Sequence, residues 1–538
     1  MMTRICTKRF GLAALLAGTA LSSSALAAPI DWVAVANSND MMPGSTAKFN
    51  SFNQPSISGN AACTVVFRAR SKGPGQPVRG IYFRALCSQS ANRLVRLKAV
   101  GDLVPQPNNT GARFNEFPAF PRIDMTSGMI ATRGQSQPVW RYTLPDNTET
   151  RTGTSGIYVK PFRSVLTGAS QLGAVRGFEE FEVPGAVPGT RFDQFPGAPS
   201  ATARTVIAFK GNYTEGSESR TGVFYRNVSA GGGSAPVQLV ANSLTRIPGK
   251  STVFGSTAPP SAANGKMVFL GVDNEEMPTM GGIYQATMKV AATTPQPAPA
   301  LRTLVKIGGP VPGVTGAAFT RLGEGMSYTG RYVGYWGAWG TETRDIKLQC
   351  PTDGNQALID FCNSQYPDGF ETSVPVNQGI FVRDTWTSKN MLISRTKAEG
   401  NFLDFLYWVF SGRPPGAGGG EDDDLEPARW RSSAFTAVSV RPSDGNVATA
   451  FKGTKNNGAP VGIYVRSTPT ASIIPILEEG VDATTVDAEA PAGADVVTVG
   501  IERDGFRKCR LALAVGMLDS VTSESWAGIY VTGDACGR

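Results

Sequence analysis

The side chains able to carry chemistry in this sequence are 43 carboxylates, 51 lysines and arginines, seven cysteines and 13 tyrosines; histidine is absent. Without an imidazole, Ser-His-Asp and Cys-His catalysis in their usual forms are excluded, and so are His-ligated zinc, copper and iron sites. The group that normally changes charge near neutral pH is missing as well. Oxygen-ligated calcium, paired-carboxylate glycosidase chemistry, a Ser-Lys arrangement and a Tyr/Lys/Arg lyase remain open, but no motif for any of them stands in the chain. The acids of "GAGGGEDDDLEP", at 421–424, lack the alternating spacing of a calcium loop and read as a solvated segment. "GVDNEEMP" (271–278) reads the same way. No cofactor is expected, and calcium is the one metal left open.

Aromatic residues are the other chemical signal. Trp336, Trp339, Trp386, Trp408 and Trp430 are five of the eight tryptophans and fall in one stretch. Clustered indoles stack on sugar rings or anchor a protein partner, because they combine area with a polar edge. Trp336, Trp339, Trp386 and Trp430 are therefore the candidate ligand-binding residues, with wedge-filling in a core as the competing role. Trp408 lies inside the apolar run "FLDFLYWVF" and reads as core. Trp336 and Trp339, three apart in a strand, face opposite sides, so at most one reaches a given surface.

These residues sit on a repeat. A Gly-aromatic phrase recurs as Gly80-Ile81-Tyr82, Gly156-Ile157-Tyr158, Gly222-Val223-Phe224, Gly282-Ile283-Tyr284, Gly379-Ile380-Phe381, Gly462-Ile463-Tyr464 and Gly528-Ile529-Tyr530, at gaps of 76, 66, 60, 97, 83 and 66 residues. Seven such matches are a period. An aromatic first strand precedes most copies: "FNSFNQPSI" (49–57), "FNEFPAFPRI" (114–123), "FDQFPGAPS" (192–200), with weaker forms at Phe254, Phe319 and Phe435. A second strand such as "TVIAFKG" (205–211) lies between, and a fourth such as "LVRLKAVGD" (94–102) follows. Units of four short strands repeated radially are propeller blades. The expected fold is all-β, a seven-bladed β-propeller over residues 28–538. It carries insertions at about 341–378 in blade 5, with a short helix near 356–363, and at 400–430 in blade 6. The last unit lacks a fourth strand, and "DWVAVAN" (31–37) has that character without a third strand before it. Pairing the two closes the ring and removes an open sheet edge.

Cys63 and Cys87 flank Gly80 much as Cys509 and Cys536 flank Gly528, so each pair is expected to staple the second strand of its blade to the end of the third. Cys350 and Cys362 are left to clip the blade 5 insertion. Disulfides suit an exported chain, and the first residues agree. Basic "MMTRICTKRF", apolar "GLAALLAGTAL" and an Ala-x-Ala site at Ala25–Ala27 read as a secretory signal peptide, residues 1–27. Its loss removes Arg4, Lys8 and Arg9 and no acid, lowering the net charge from +8 to +5. No dense basic stripe argues for nucleic acid, and no later run reaches the ~18 apolar residues of a membrane span.

The second strands and the Gly-Ile-Tyr strands resemble the bacterial exported tandem-repeat family named for an Asn-x-x-Gly-x-x-Ala-Phe phrase. Gly265 and Phe269 stand at the family spacing, with Ala262 for Asn and Val268 for Ala; Ala450-Phe451 and Ala208-Phe209 keep the end of the phrase. The resemblance implies a propeller and export, and supplies no catalytic residue. The expectation is thus a monomeric, extracellular or periplasmic, non-catalytic propeller that binds a glycan or a surface protein. The alternative is an exported hydrolase or lyase acting on polysaccharide with carboxylate or Tyr chemistry on one propeller face.

Overall fold

The structure is a computed structural model describing residues 30–537 except 73–76, 89–91, 106–110, 138–139, 144–148, 153–155, 162–165, 172–178, 229–234, 353–355, 412–427 and 457–459. The expected signal peptide and the 421–424 acids lie outside those residues. Seven antiparallel sheets are arranged as the blades of a propeller. In blade 1 the order from the axis outward is Phe49–Phe52 with Ser56–Ile57, then Thr64–Ser71, Arg79–Ala85 and Leu94–Ala99. The first strand is broken: its two halves pair with opposite ends of the second strand. The axial halves are Ser56–Ile57, Arg122–Ile123, Ser200–Thr202, Ser261–Ala263, Ser327–Tyr328, Thr436–Val440 and Phe506–Arg507. Each touches the next, and the last touches the first.

The repeated phrase has a steric origin. In blades 1–6 an aromatic ring of the first strand meets the third-strand ring edge-on, with centroids 4.8–5.3 Å apart (Phe49–Tyr82 to Phe402–Tyr464). The third-strand ring folds back over the glycine two residues before it. A Cβ on Gly462 would lie 2.8 Å from the Tyr464 hydroxyl, and one on Gly222 would lie 2.7 Å from Phe224. The first-strand ring in turn covers a second-strand glycine, such as Gly211 under Phe192. Gly462→Ala is therefore expected to lower stability by about 1–3 kcal/mol through overpacking. The comparison is Gly533→Ala, where a Cβ meets nothing within 4 Å and the midpoint of urea unfolding should stay put.

A second repeat escaped the sequence reading. The loops entering several blades share a Pro-Gly turn: Met42-Pro43-Gly44-Ser45, Val183-Pro184-Gly185-Ala186, Ile247-Pro248-Gly249-Lys250 and Val311-Pro312-Gly313-Val314. In each, the fourth residue's N–H donates to the first residue's carbonyl. The glycine takes a positive φ of 70–80°, as a type II turn requires. Met42, Val183, Ile247 and Val311 are buried between blades.

Closure follows the expectation. Trp32–Asn37 pairs antiparallel with Ser525–Thr532, Trp32 opposite Thr532 and Asn37 opposite Gly528. Asp487, buried in the loop entering blade 7, accepts from Asn37 Nδ2 (2.9 Å), Tyr530 Oη (2.7 Å) and Trp526 Nε1 (3.2 Å). Disulfides join Cys63–Cys87, Cys350–Cys362 and Cys509–Cys536. One element differs from the sequence reading. The first-strand ring of blade 6 is Phe402, not Phe435, because Phe402–Asp404 pairs with the end of the second strand. The excursion therefore starts after Asp404 and returns at Ala434. Phe402 and Phe405 keep the Phe-x-x-Phe spacing of Phe49 and Phe52, which the apolar run that follows hides.

Candidate functional site

The axis is filled by charge. The Glu502-Arg503-Asp504 segment of blade 7 enters the channel and meets Arg122 of blade 2. Arg122 Nη1 donates to Asp504 Oδ2 at 2.7 Å, and its other terminal nitrogen pairs with Glu502. Arg507 pairs with the second oxygen of Asp504. Arg503 donates to the carbonyls of Pro260 (2.9 Å), Pro259 and Ala198 (both 3.3 Å) in blades 3 and 4. Ser327 Oγ of blade 5 donates to the Arg503 carbonyl at 2.6 Å. All five charged residues are buried. Burial alone would push the Asp504 carboxyl up, but Arg507, Arg122 and Arg503 outweigh it and hold it below the usual range. Burial pushes Arg503 down to about 9. A glycosidase needs two carboxylates free to give and take protons across a sugar. Glu502 and Asp504 are committed to guanidinium groups, and the segment acts as a plug.

The face carrying the second-to-third turns is built over by the insertions. The hairpin Thr343–Leu348/Phe370–Pro375 and helix Gln356–Gln365 rise from blade 5, and Leu406–Ser411/Arg429–Ala434 rises from blade 6. They pack on each other through Phe361, Tyr366, Phe370, Phe410 and Trp430; the Phe370 and Trp430 rings stack at 6.2 Å and 8°. Arg344 bridges to Asp404 (2.8 Å), and Arg429 reaches Glu275 in the blade 4 turn (3.1 Å). In that turn Asp273 and Asn274 accept hydrogen bonds from residues 276–280. Trp408 is half-buried in the hairpin.

The opposite face carries the first-to-second and third-to-fourth turns. Here Trp386 stands 70% exposed on the turn after strand Gln378–Asp384. Its ring lies against the Arg331 guanidinium (4.7 Å), which also covers Tyr332 (4.6 Å). Asp384 grips that guanidinium with both oxygens, taking Nη2 at 2.7 Å and Nε at 3.1 Å, and also accepts the Trp386 amide at 2.9 Å. Burial alone would push Asp384 up; the hydrogen bonds from Arg331, Trp386 and Thr387 outweigh it and hold it at about 2. Arg302 pins the turn further through Thr385 O and Ser388 Oγ, each at 2.9 Å.

The four candidate tryptophans do not share a surface. Trp336 and Trp339 are buried in the cores on either side of blade 5, and Trp336 Nε1 donates to Gln378 Oε1 at 3.1 Å. Trp430 belongs to the insertion face and Trp386 to the opposite one. Sequence spacing offered no sign of the Arg331–Asp384 mount, since its members are 53 residues apart. Potential metal ligands gather in one place among the described residues, Cys509, Asp534 and Cys536, and the two cysteines form a disulfide.

The fold defines the chain's class as a seven-bladed β-propeller. No family model matches it, and no curated protein does. Among solved structures it is similar to an oligogalacturonate lyase in complex with manganese (TM-score 0.41, 8% identity, 94% of this chain and 97% of that one). It is similar also to the Dos1 propeller (0.29, 9%, 93% and 95%) and to an α-L-arabinanase of Penicillium chrysogenum complexed with arabinobiose (0.28, 12%, 81% and 98%). At these scores and identities the likenesses carry no functional inference.

Proposed function

We propose that this is an exported, monomeric, non-catalytic propeller that binds a glycan, using the face that presents Trp386. The observation that carries the reading is the mounted indole of Trp386, a residue 70% exposed whose ring is backed by Arg331, itself fixed by Asp384. An exposed aromatic that is already ordered stacks on a sugar ring with little further loss of conformational freedom. Export is supported by three disulfides and by the leader-like residues at 1–27. A surface protein as the partner is the second reading, and the joined insertions of blades 5 and 6 are what favour it. Catalysis has less support, because the axial acids are paired and no histidine is available.

Trp386→Ala is expected to weaken retention on polysaccharide by about tenfold or more, as loss of an aromatic anchor does, with unfolding unchanged. Retention should be flat from pH 5 to 8. The depressed Asp384 favours the mount above the ordinary carboxylate value of about 4 and loses that contribution only as pH falls toward about 2. An affinity-gel series with wild type and variant reads both. Equal mobility of the two on every polysaccharide retained by the wild type would sink the assignment.

A further inference from the structure

The same face holds a second feature. A surface cavity of about 270 Å³ lies between blades 6 and 7, lined by Arg441, Lys508, Arg510, Asp534 and the Cys509–Cys536 disulfide. Three of its side chains are cationic and one is acidic. Lys508 is exposed and Arg510 half-buried, and neither side chain has a hydrogen-bond or ion-pair partner among the described residues. Asp534 is already occupied, since one of its oxygens accepts the amides of Cys536 (2.9 Å) and Gly537 (3.2 Å). Arg441 is held by the Ser467 carbonyl (3.3 Å) and by Asp444 (3.4 Å). The wall is rigid: Cys509 is tied to Cys536, and its N–H donates to Ser439 Oγ of blade 6 at 3.0 Å.

The cavity is linked to the Trp386 mount through packed groups. Arg331 lies between Trp386 and Tyr332, and the Tyr332 hydroxyl donates to the Gly445 carbonyl at 3.3 Å. Gly445 belongs to the turn that begins at Arg441, the cavity's wall. Basic residues stand at the same type of turn in other blades too: Arg204 in blade 3 and Arg331 in blade 5. A pocket with three cations to one acid, on the same face as a stacking ring, suits a sugar that carries an anionic group.

We infer that this pocket is an anion subsite that seats the carboxylate or sulfate of an acidic saccharide, on the face that presents Trp386. The inference rests on the glycan reading above and narrows it to acidic glycans. Charge-assisted hydrogen bonds from Lys508 and Arg510 would supply the recognition. Their worth should fall with added salt, because the pocket is open to solvent.

The test uses the mature chain in affinity gels containing polygalacturonate, dextran sulfate or neutral dextran. Wild type is expected to be retarded by at least one acidic polymer and not by dextran; which acidic polymer it is distinguishes carboxylate from sulfate. The pair Lys508→Gln/Arg510→Gln is expected to lose about tenfold or more of that affinity. The pair Arg246→Gln/Lys250→Gln removes the same charge from the exposed loop entering blade 4 and should change little. Thermal midpoints of both pairs confirm that they fold. Equal losses in the two pairs would reduce the effect to net charge and overturn the subsite. Retention on neutral polysaccharide alone, lost in Trp386→Ala, would overturn the subsite and leave the glycan reading intact. Retention on none, across a wider polysaccharide panel as well, would overturn both.

Discussion

Arg122→Ala is expected to destabilise the protein by about 3–5 kcal/mol, because it removes the cation that two buried carboxylates share. Glu502 and Asp504 are both inaccessible, and Arg122 is the group that joins them to blade 2. Arg507 and Arg503 remain, but Arg503 spends its terminal nitrogens on backbone carbonyls of blades 3 and 4 and brings only its Nε near Glu502, at 3.8 Å. Arg122→Lys keeps the charge and loses the two-pronged reach, so it should recover only part of the loss. The effect has a pH signature. Asp504 has a folded pKa below its unfolded value, so its contribution is present above about pH 4 and is lost as pH falls through the folded value. Arg122 is one cause of that depression, and the gap between wild type and Arg122→Ala should therefore narrow from pH 7 to pH 3. Urea midpoints at both pH values measure it. A gap that widens on acidification would contradict the paired state of the plug.

The second large effect is expected at the seam. Asp487→Ala leaves Asn37, Tyr530 and Trp526 without their shared acceptor. A stranded buried donor costs about 1–3 kcal/mol, and water reaches part of this site, so a total near 2–4 kcal/mol is expected. Asp487→Asn retains one acceptor oxygen and should sit between the two. The location of the damage is diagnostic. Amides of Trp32–Asn37 and Ser525–Thr532 should exchange faster in Asp487→Ala, while those of the blade 4 strand Lys266–Val272 keep their protection. Uniform loss of protection in all blades would mean that Asp487 is not a seam residue.

The architecture was legible because its cause is local. A ring that folds back over a glycine writes Gly-Ile-Tyr wherever a third strand occurs, and seven writings fix seven blades. The seam was legible from a strand without a neighbour at each end of the chain. Cysteine positions relative to Gly80 and Gly528 gave the staples. Phe402 was misplaced because the adjoining insertion is as apolar as the strand. The Pro-Gly entry turns were missed because their buried residue varies among Met, Val and Ile. The functional surfaces were least legible, and for a different reason. The plug joins Arg122 to residues 380 and 382 positions away, and the Trp386 mount spans 53. Nothing periodic connects such partners. Tryptophans close in sequence went to two cores and two opposite faces, since alternation along a strand and the two ends of a blade separate them.

The sharpest test of the central claim is to incubate the protein with the polysaccharides that retard it, and to follow new reducing ends and unsaturated products alongside retention. The account predicts retention lost in Trp386→Ala, with no product above the level of protein-free controls. Product release that scales with wild-type protein, and survives Trp386→Ala, would contradict it.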